Sequence, residues 1–225
     1  MINRKLLLDN TLFLLFIFIF FANQMYGQSY KIFTGPLASV NTNLEKLGKN
    51  VIGTPYLNTN FISATIGDSQ EVIPIRYDAY LDKLEVLVDD KVYEVPKIDR
   101  LSTFNFKSVG ATIIYLKDDN GYYFRIVNGK NQLLKKEKIK LENVNSSIEP
   151  NSMIREAYSK FEKQRPTYFI KIEDNNLIKL TKKTDELMNA LPANKKEAVK
   201  DFIKTNKIKM TEELDLIKLV TFLNK

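Results

Sequence analysis

The chain of 225 residues contains no cysteine, no histidine and no tryptophan, and only eight glycines. Each absence closes a class of chemistry. Without histidine there is no Ser-His-Asp or Cys-His relay and no imidazole-ligated metal. Without cysteine there is no thiolate nucleophile, no thiolate metal cage and no disulfide. None of the glycines falls in a Gly-x-Gly-x-x-Gly or phosphate-loop spacing. No Ser-x-x-Lys is present, and no serine lies in a nucleophile-elbow pattern. Packing alone must hold this fold, and no catalytic residue, cofactor or metal is expected.

Long apolar runs are scarce too, with one exception. Arg4 and Lys5 precede Leu6-Leu7-Leu8, residues 12–22 are unbroken apolar, and Met25-Tyr26-Gly27 closes the segment. This order of charge, apolar stretch and small-residue exit is that of a secretory signal peptide over residues 1–27. A spanning helix needs about twenty apolar residues, and here Asp9 and Asn10 interrupt the run. An aspartate near the centre of a membrane helix costs about 2.5–3.5 kcal/mol. Cleavage between Gly27 and Gln28 is therefore expected, leaving no transmembrane span and no cysteine for lipid attachment. Loss of Arg4, Lys5 and Asp9 takes the net charge from +7 to +6. The mature chain is expected in the periplasm or outside the cell.

Beyond the leader the sequence reads as an α+β chain. Residues 28–60 form a polar lead-in, with turns at Gly35-Pro36 and Gly53-Thr54-Pro55 and a helical turn at Leu44 and Leu47. Residues 61–180 carry Val, Ile, Tyr and Phe in short runs divided by turn residues. Strands are expected at 72–80, 83–88, 92–95, 103–107, 111–117, 122–127, 132–141, 167–173 and 177–180. Asn120-Gly121 predicts a type I′ hairpin, and Asn128-Gly129 repeats the device. Residues 142–152 read as a loop. Ile154, Tyr158 and Phe161 lie on one stripe of a helix expected over 153–164, opened by Ser152 and ended by Pro166. Residues 181–225 are helical. One helix opens at Thr181 or Thr184 and stops at Pro192, a second spans 193–205, and a third is capped by Thr211 with a face of Leu214, Ile217, Val220 and Leu223. Successive hairpins predict an antiparallel meander, expected to curl, with small C-terminal helices packed on it.

Carboxylates are the remaining catalytic currency. Asp89-Asp90 and Asp118-Asp119 fall where hairpin turns are wanted, and neither pair has the ligand spacing of a calcium loop. Turn chemistry is the simpler account of both. Two stretches are basic: Lys130, Lys135, Lys136, Lys138 and Lys140 against Glu137, and Lys195, Lys196, Lys200, Lys204, Lys207 and Lys209 against Glu197 and Asp201. Both read first as solvated faces, and the second is a candidate for meeting an anionic surface. Export argues against nucleic acid as the partner. Tyr77, Tyr80, Tyr93, Tyr115, Tyr122, Tyr123 and Phe124 line either a groove or, more simply, the sheet core.

Several strings carry a resemblance. Gly53-Thr54-Pro55-Tyr56-Leu57-Asn58 before Phe61, and Arg76-Tyr77-Asp78-Ala79-Tyr80 with Leu84-Glu85-Val86, are similar to those of a family of exported proteins of the Bacteroidota. Leu133-Leu134-Lys135-Lys136 and the tail from Lys182-Lys183 fit the same pattern. The family brings no known activity, ligand or catalytic residue, so the resemblance implies export and architecture only. The two strings read as a turn and a strand whose Arg76 pairs with a carboxylate. The expected role is non-catalytic, binding or structural, with envelope lipid, glycan or protein as partner. The alternatives are a carboxylate-based glycan-acting enzyme and a carrier of lipid or another apolar ligand.

Overall fold

A computed structural model of the chain describes residues 30–33, 37–40, 50–144, 147–148, 154–155, 157–172 and 176–225. The leader, the turn at Gly35-Pro36 and the helical turn at Leu44 and Leu47 lie outside the described residues.

The strands are β1 (Ala38–Ser39), β2 (Val51–Ile52), β3 (Ile62–Ile66), β4 (Ile73–Asp78), β5 (Lys83–Val88), β6 (Lys91–Glu94), β7 (Thr103–Phe106) and β8 (Ala111–Leu116). They continue as β9 (Gly121–Val127), β10 (Asn131–Lys136), β11 (Ile139–Val144), β12 (Ser147–Ile148), β13 (Ile154–Arg155), β14 (Tyr158–Lys163), β15 (Thr167–Ile172) and β16 (Asn176–Lys179). Three helices end the chain: α1 (Asp185–Ala190), α2 (Ala193–Thr205) and α3 (Glu213–Leu223). One antiparallel sheet of eleven strands runs β1-β6-β5-β4-β3-β7-β8-β9-β10-β15-β16. It stays open, with β1 and β16 as its edges. A small second sheet, β11-β14-β2, includes the parallel pair β14–β2. No described helix is long and apolar enough to cross a membrane.

Alternation along the strands divides the apolar residues between faces. Ile73, Ile75 and Tyr77 of β4, Leu84 and Val86 of β5, Phe104 of β7, Ile113 of β8 and Tyr122 of β9 meet in one core with Phe161 of the small sheet. Rings from distant strands touch there: Tyr77 on β4 lies 5.8 Å from Phe124 on β9. Leu133, Ile170 and Ile172 form a second core with Leu187, Val199, Leu216, Leu219, Val220 and Leu223 of the helices. Alternation along β10 sends Leu133 to the helices and Leu134 to the other face, while the register shift between them is taken up on β9, where Ile126 is the extra residue.

The hairpins follow turn chemistry, though not always where the glycines stand. Asp89 and Asp90 have φ of 48° and 59°, and Val88 pairs with Lys91. This is the type I′ arrangement, built from two aspartates, which tolerate positive φ better than most residues. At the Asn120-Gly121 pair only Asn120 is left-handed, and Leu116 pairs with Gly121 across a longer loop. The expected type I′ turn is therefore corrected there, and also at Asn128-Gly129, where only Gly129 has a positive φ. Gly121 supplies space instead: a Cβ on it would stand 2.5 Å from Lys136 Nζ.

Further expectations are corrected. Residues 158–163 are strand rather than helix, because every residue from Tyr158 to Lys163 pairs with β11. A helix would strand that ladder and β2 beyond it. The loop expected over 142–152 includes the end of β11 and strand β12, which pairs with β13. The strand expected over 132–141 breaks at Glu137 and Lys138, placing β10 in the large sheet and β11 in the small one. On α3 the buried stripe is Leu216, Leu219, Val220 and Leu223, while Leu214 is 74% exposed. Glu212, not Thr211, occupies the cap position. The lead-in is also more than a polar leash. It supplies β1 and β2, and Tyr56 bridges to Asp78.

Candidate functional site

Tyr56, Arg76 and Glu85 meet in a buried ionic clasp. Arg76 on β4 faces Glu85 on β5 because the two are directly paired across the hairpin. Arg76 Nη2 stands 2.7 Å from Glu85 Oε2, and Arg76 Nε also donates to that oxygen at 2.8 Å. Arg76 Nη2 donates to the Tyr56 hydroxyl at 2.9 Å, which in turn donates to Glu85 Oε1. The guanidinium carbon lies 3.8 Å from the Tyr56 ring centre and 4.4 Å from that of Phe61. Arg76 Nη1 also donates to the Thr59 carbonyl at 3.3 Å, so the clasp ties residues 56–61 to the sheet. Burial first, then the Glu85 charge, pushes the Tyr56 hydroxyl up to about 12, keeping it protonated.

A second polar centre forms around Asp82, whose φ is 55°. Asp82 accepts from Tyr77 at 2.7 Å and from Lys136 Nζ at 2.8 Å, with Lys97 Nζ at 3.5 Å. Lys136 also sits over the Tyr123 ring. Burial and then the Asp82 charge raise the Tyr77 phenol far out of the physiological range, so it serves as a donor and not as a base. Sequence reasoning missed this hub. Asp82 stands in no motif, and while Tyr77 is near it in sequence, Lys97 and Lys136 come from farther along the chain.

Asp89 and Asp90 are exposed at their hairpin tip. Asp118 and Asp119 are exposed too, but border an open polar cleft of about 470 Å³ with Asp99, Tyr115, Lys171 and Leu177. Asp99 is held by Lys117 at 3.0 Å, and Asp119 accepts a hydrogen bond from Tyr123. Asp118 has no such partner among the described residues. Nor, among those residues, is any group of three or more carboxylates placed to hold a metal ion.

A separate recess of about 120 Å³, walled almost wholly by carbon, lies beside Leu57, Ile62, Tyr77, Val109 and Phe124. The strand aromatics are mostly core: Tyr77, Tyr115, Tyr122 and Tyr123 are buried, while Tyr93 and Phe124 are half-buried and Tyr80 is exposed.

The two basic stretches meet different fates. Alternation in β10 splits the first, sending Lys135 to Glu213 at 3.0 Å and Lys136 to Asp82. The second stays together on the helical layer. Lys196, Lys200 and Lys204 recur every four residues on α2, with Lys207 and Lys209 in the connection to α3. That spacing puts the first three on one face. Lys200, Lys204, Lys207 and Lys209 are exposed, and none of the four is ion-paired among the described residues. Lys195 is half-buried and lies 3.4 Å from the Leu223 carbonyl. Compared with protein families, curated proteins and solved structures, the chain matches none.

Proposed function

We propose that this chain is an exported, non-catalytic protein of the cell envelope whose role is binding, with the lysines of α2 meeting an anionic surface. The observation that carries this reading is the row Lys196, Lys200 and Lys204, continued by Lys207 and Lys209, none of whose ammonium groups is in an ion pair among the described residues. Such a row attracts anions by summed field rather than by a shaped pocket.

The alternatives draw less support. An acid/base pair needs two free carboxyl groups facing one substrate, and of the three in the polar cleft two are already engaged. A carrier needs a cavity of roughly 300–1,000 Å³ for a ligand of ordinary size. The apolar recess of about 120 Å³ falls well short. The Tyr77–Phe124 contact between β4 and β9 supports a sheet that curls toward itself.

The test is envelope association in the native host. Reversal of Lys196, Lys200 and Lys204 to Glu should move the protein from the washed envelope fraction into the soluble one. Unchanged distribution would remove the reading.

A further inference from the structure

The helices pack on one face of the β9-β10-β15-β16 region, and the opposite face, with β8 alongside, carries a pattern of its own. Cross-strand partners share a face. The pairings Arg125–Leu134, Leu134–Phe169 and Phe169–Lys179 therefore set four side chains in one row across β9, β10, β15 and β16. Three strand spacings make the row about 14 Å long. Lys171, two residues beyond Phe169 on β15, stands on the same face beside Leu177. The apolar cluster beneath, Ile114, Tyr123 and Leu134 with Leu116, Phe169 and Leu177, is drawn from these strands alone.

The charged residues that these strands place on this face are all basic. Arg125, Lys136, Lys171 and Lys179 point onto it, and no Asp or Glu among the residues of β7 to β10, β15 and β16 does. Lys136 is taken by Asp82. Arg125, Lys171 and Lys179 have no hydrogen bond or ion pair among the described residues, and Arg125 and Lys171 are half-buried. That leaves the five N–H donors of the Arg125 guanidinium open to an anionic oxygen. Among the described residues, acids border the face at Asp82, which holds Lys136, and at the polar cleft that Lys171 shares with Asp99, Asp118 and Asp119, where Lys117 engages Asp99 and Tyr123 engages Asp119.

We infer that this face binds a strand of acidic polysaccharide, its anions at Arg125 and at Lys171 or Lys179 and the apolar side of a sugar ring against Phe169. The inference rests on the export and binding role proposed above, which set nucleic acid aside, but not on the α2 lysines. A bilayer fits less well, because none of the exposed large apolar side chains projects from this face and an interfacial anchor needs one.

The experiment is equilibrium binding of the full chain to polygalacturonate, with dextran, phosphatidylglycerol vesicles and a single-stranded oligonucleotide as comparisons. Saturable, salt-sensitive binding to polygalacturonate and none to dextran is expected. The combined change Arg125→Gln, Lys171→Gln and Lys179→Gln should weaken it at least about tenfold, a loss of about 1.4 kcal/mol, with the thermal melt unchanged. Phe169→Leu should weaken it without altering the salt dependence. Lys196, Lys200 and Lys204 reversed to Glu should leave it intact, even where envelope association is lost. No binding to polygalacturonate, binding untouched by the sheet-face triple, or tighter binding of vesicles or oligonucleotide through the same residues would each overturn the inference. Loss in the α2 variant with the sheet-face triple unaffected would overturn it too, while leaving the proposed surface role standing.

Discussion

Arg76 and Glu85 form the most deeply buried ion pair described in the molecule, 2.7 Å apart with side chains 13% and 3% exposed. It lies between two strings separated in sequence, and Tyr56 completes it. Removing one partner leaves the other charged and dry, which costs about 3–5 kcal/mol. Arg76→Met should therefore lower the urea midpoint sharply. Arg76→Met combined with Glu85→Leu should recover most of the loss, because an apolar pair carries no stranded charge. A double variant no more stable than the single one would contradict this.

Acid sensitivity should concentrate at the start of α3. Burial alone would raise the Glu213 carboxyl, but hydrogen bonds from Lys135 and Tyr168 outweigh it and hold the group below 4.5. The Lys209 backbone N–H and the Lys218 side chain hold Asp215 below 3.8. A depressed carboxyl stabilises the fold above its unfolded pKa and loses that contribution as pH falls through the folded value. Asp78 works in the opposite sense, since burial, against two backbone hydrogen bonds, raises it. Thermal stability should fall below about pH 4.5, and Glu213→Gln should flatten that fall. An unchanged acid limb would show that the Lys135 contact is not involved.

Gly129 should tolerate no side chain. Its φ is 141°, and a Cβ would stand 2.6 Å from Asn224 Nδ2. Asn224 exchanges hydrogen bonds with Asn131, closing the end of α3 onto the β9–β10 hairpin. Gly129→Ala should cost more than about 1 kcal/mol, since alanine at positive φ adds strain to the clash. Asn224→Ala should weaken the same junction without the strain.

The two sides of α3 should respond oppositely. Leu216 is fully buried in the second core, so Leu216→Ala should cost about 2–5 kcal/mol. Leu214→Ser should change stability by less than about 0.5 kcal/mol, because that side chain is 74% exposed. Equal losses would mean the helix is rotated from its described face.

These residues also show what was legible beforehand. Strands with strict alternation and turn residues at both ends, such as β5 between Asp82 and Asp89, were readable from sequence almost to the residue. So was the pairing of Arg76 with a carboxylate. Failures came where local pattern met a tertiary partner. Tyr158 and Phe161 fit a helical stripe equally well, but β11 offered six backbone positions to pair with. Leu214 and Leu216 are both apolar within one helical turn, and only the sheet beneath decides which is buried. The Asp82 hub and the Arg125–Lys179 row were invisible, since each is assembled from strands brought together by the fold.

The most direct measurement is the N-terminal peptide mass of the protein recovered from fractionated native cells. The account requires a chain beginning at Gln28, in or beyond the envelope. Full-length protein beginning at Met1 in the cytosol would contradict it, and with it the binding role built on export.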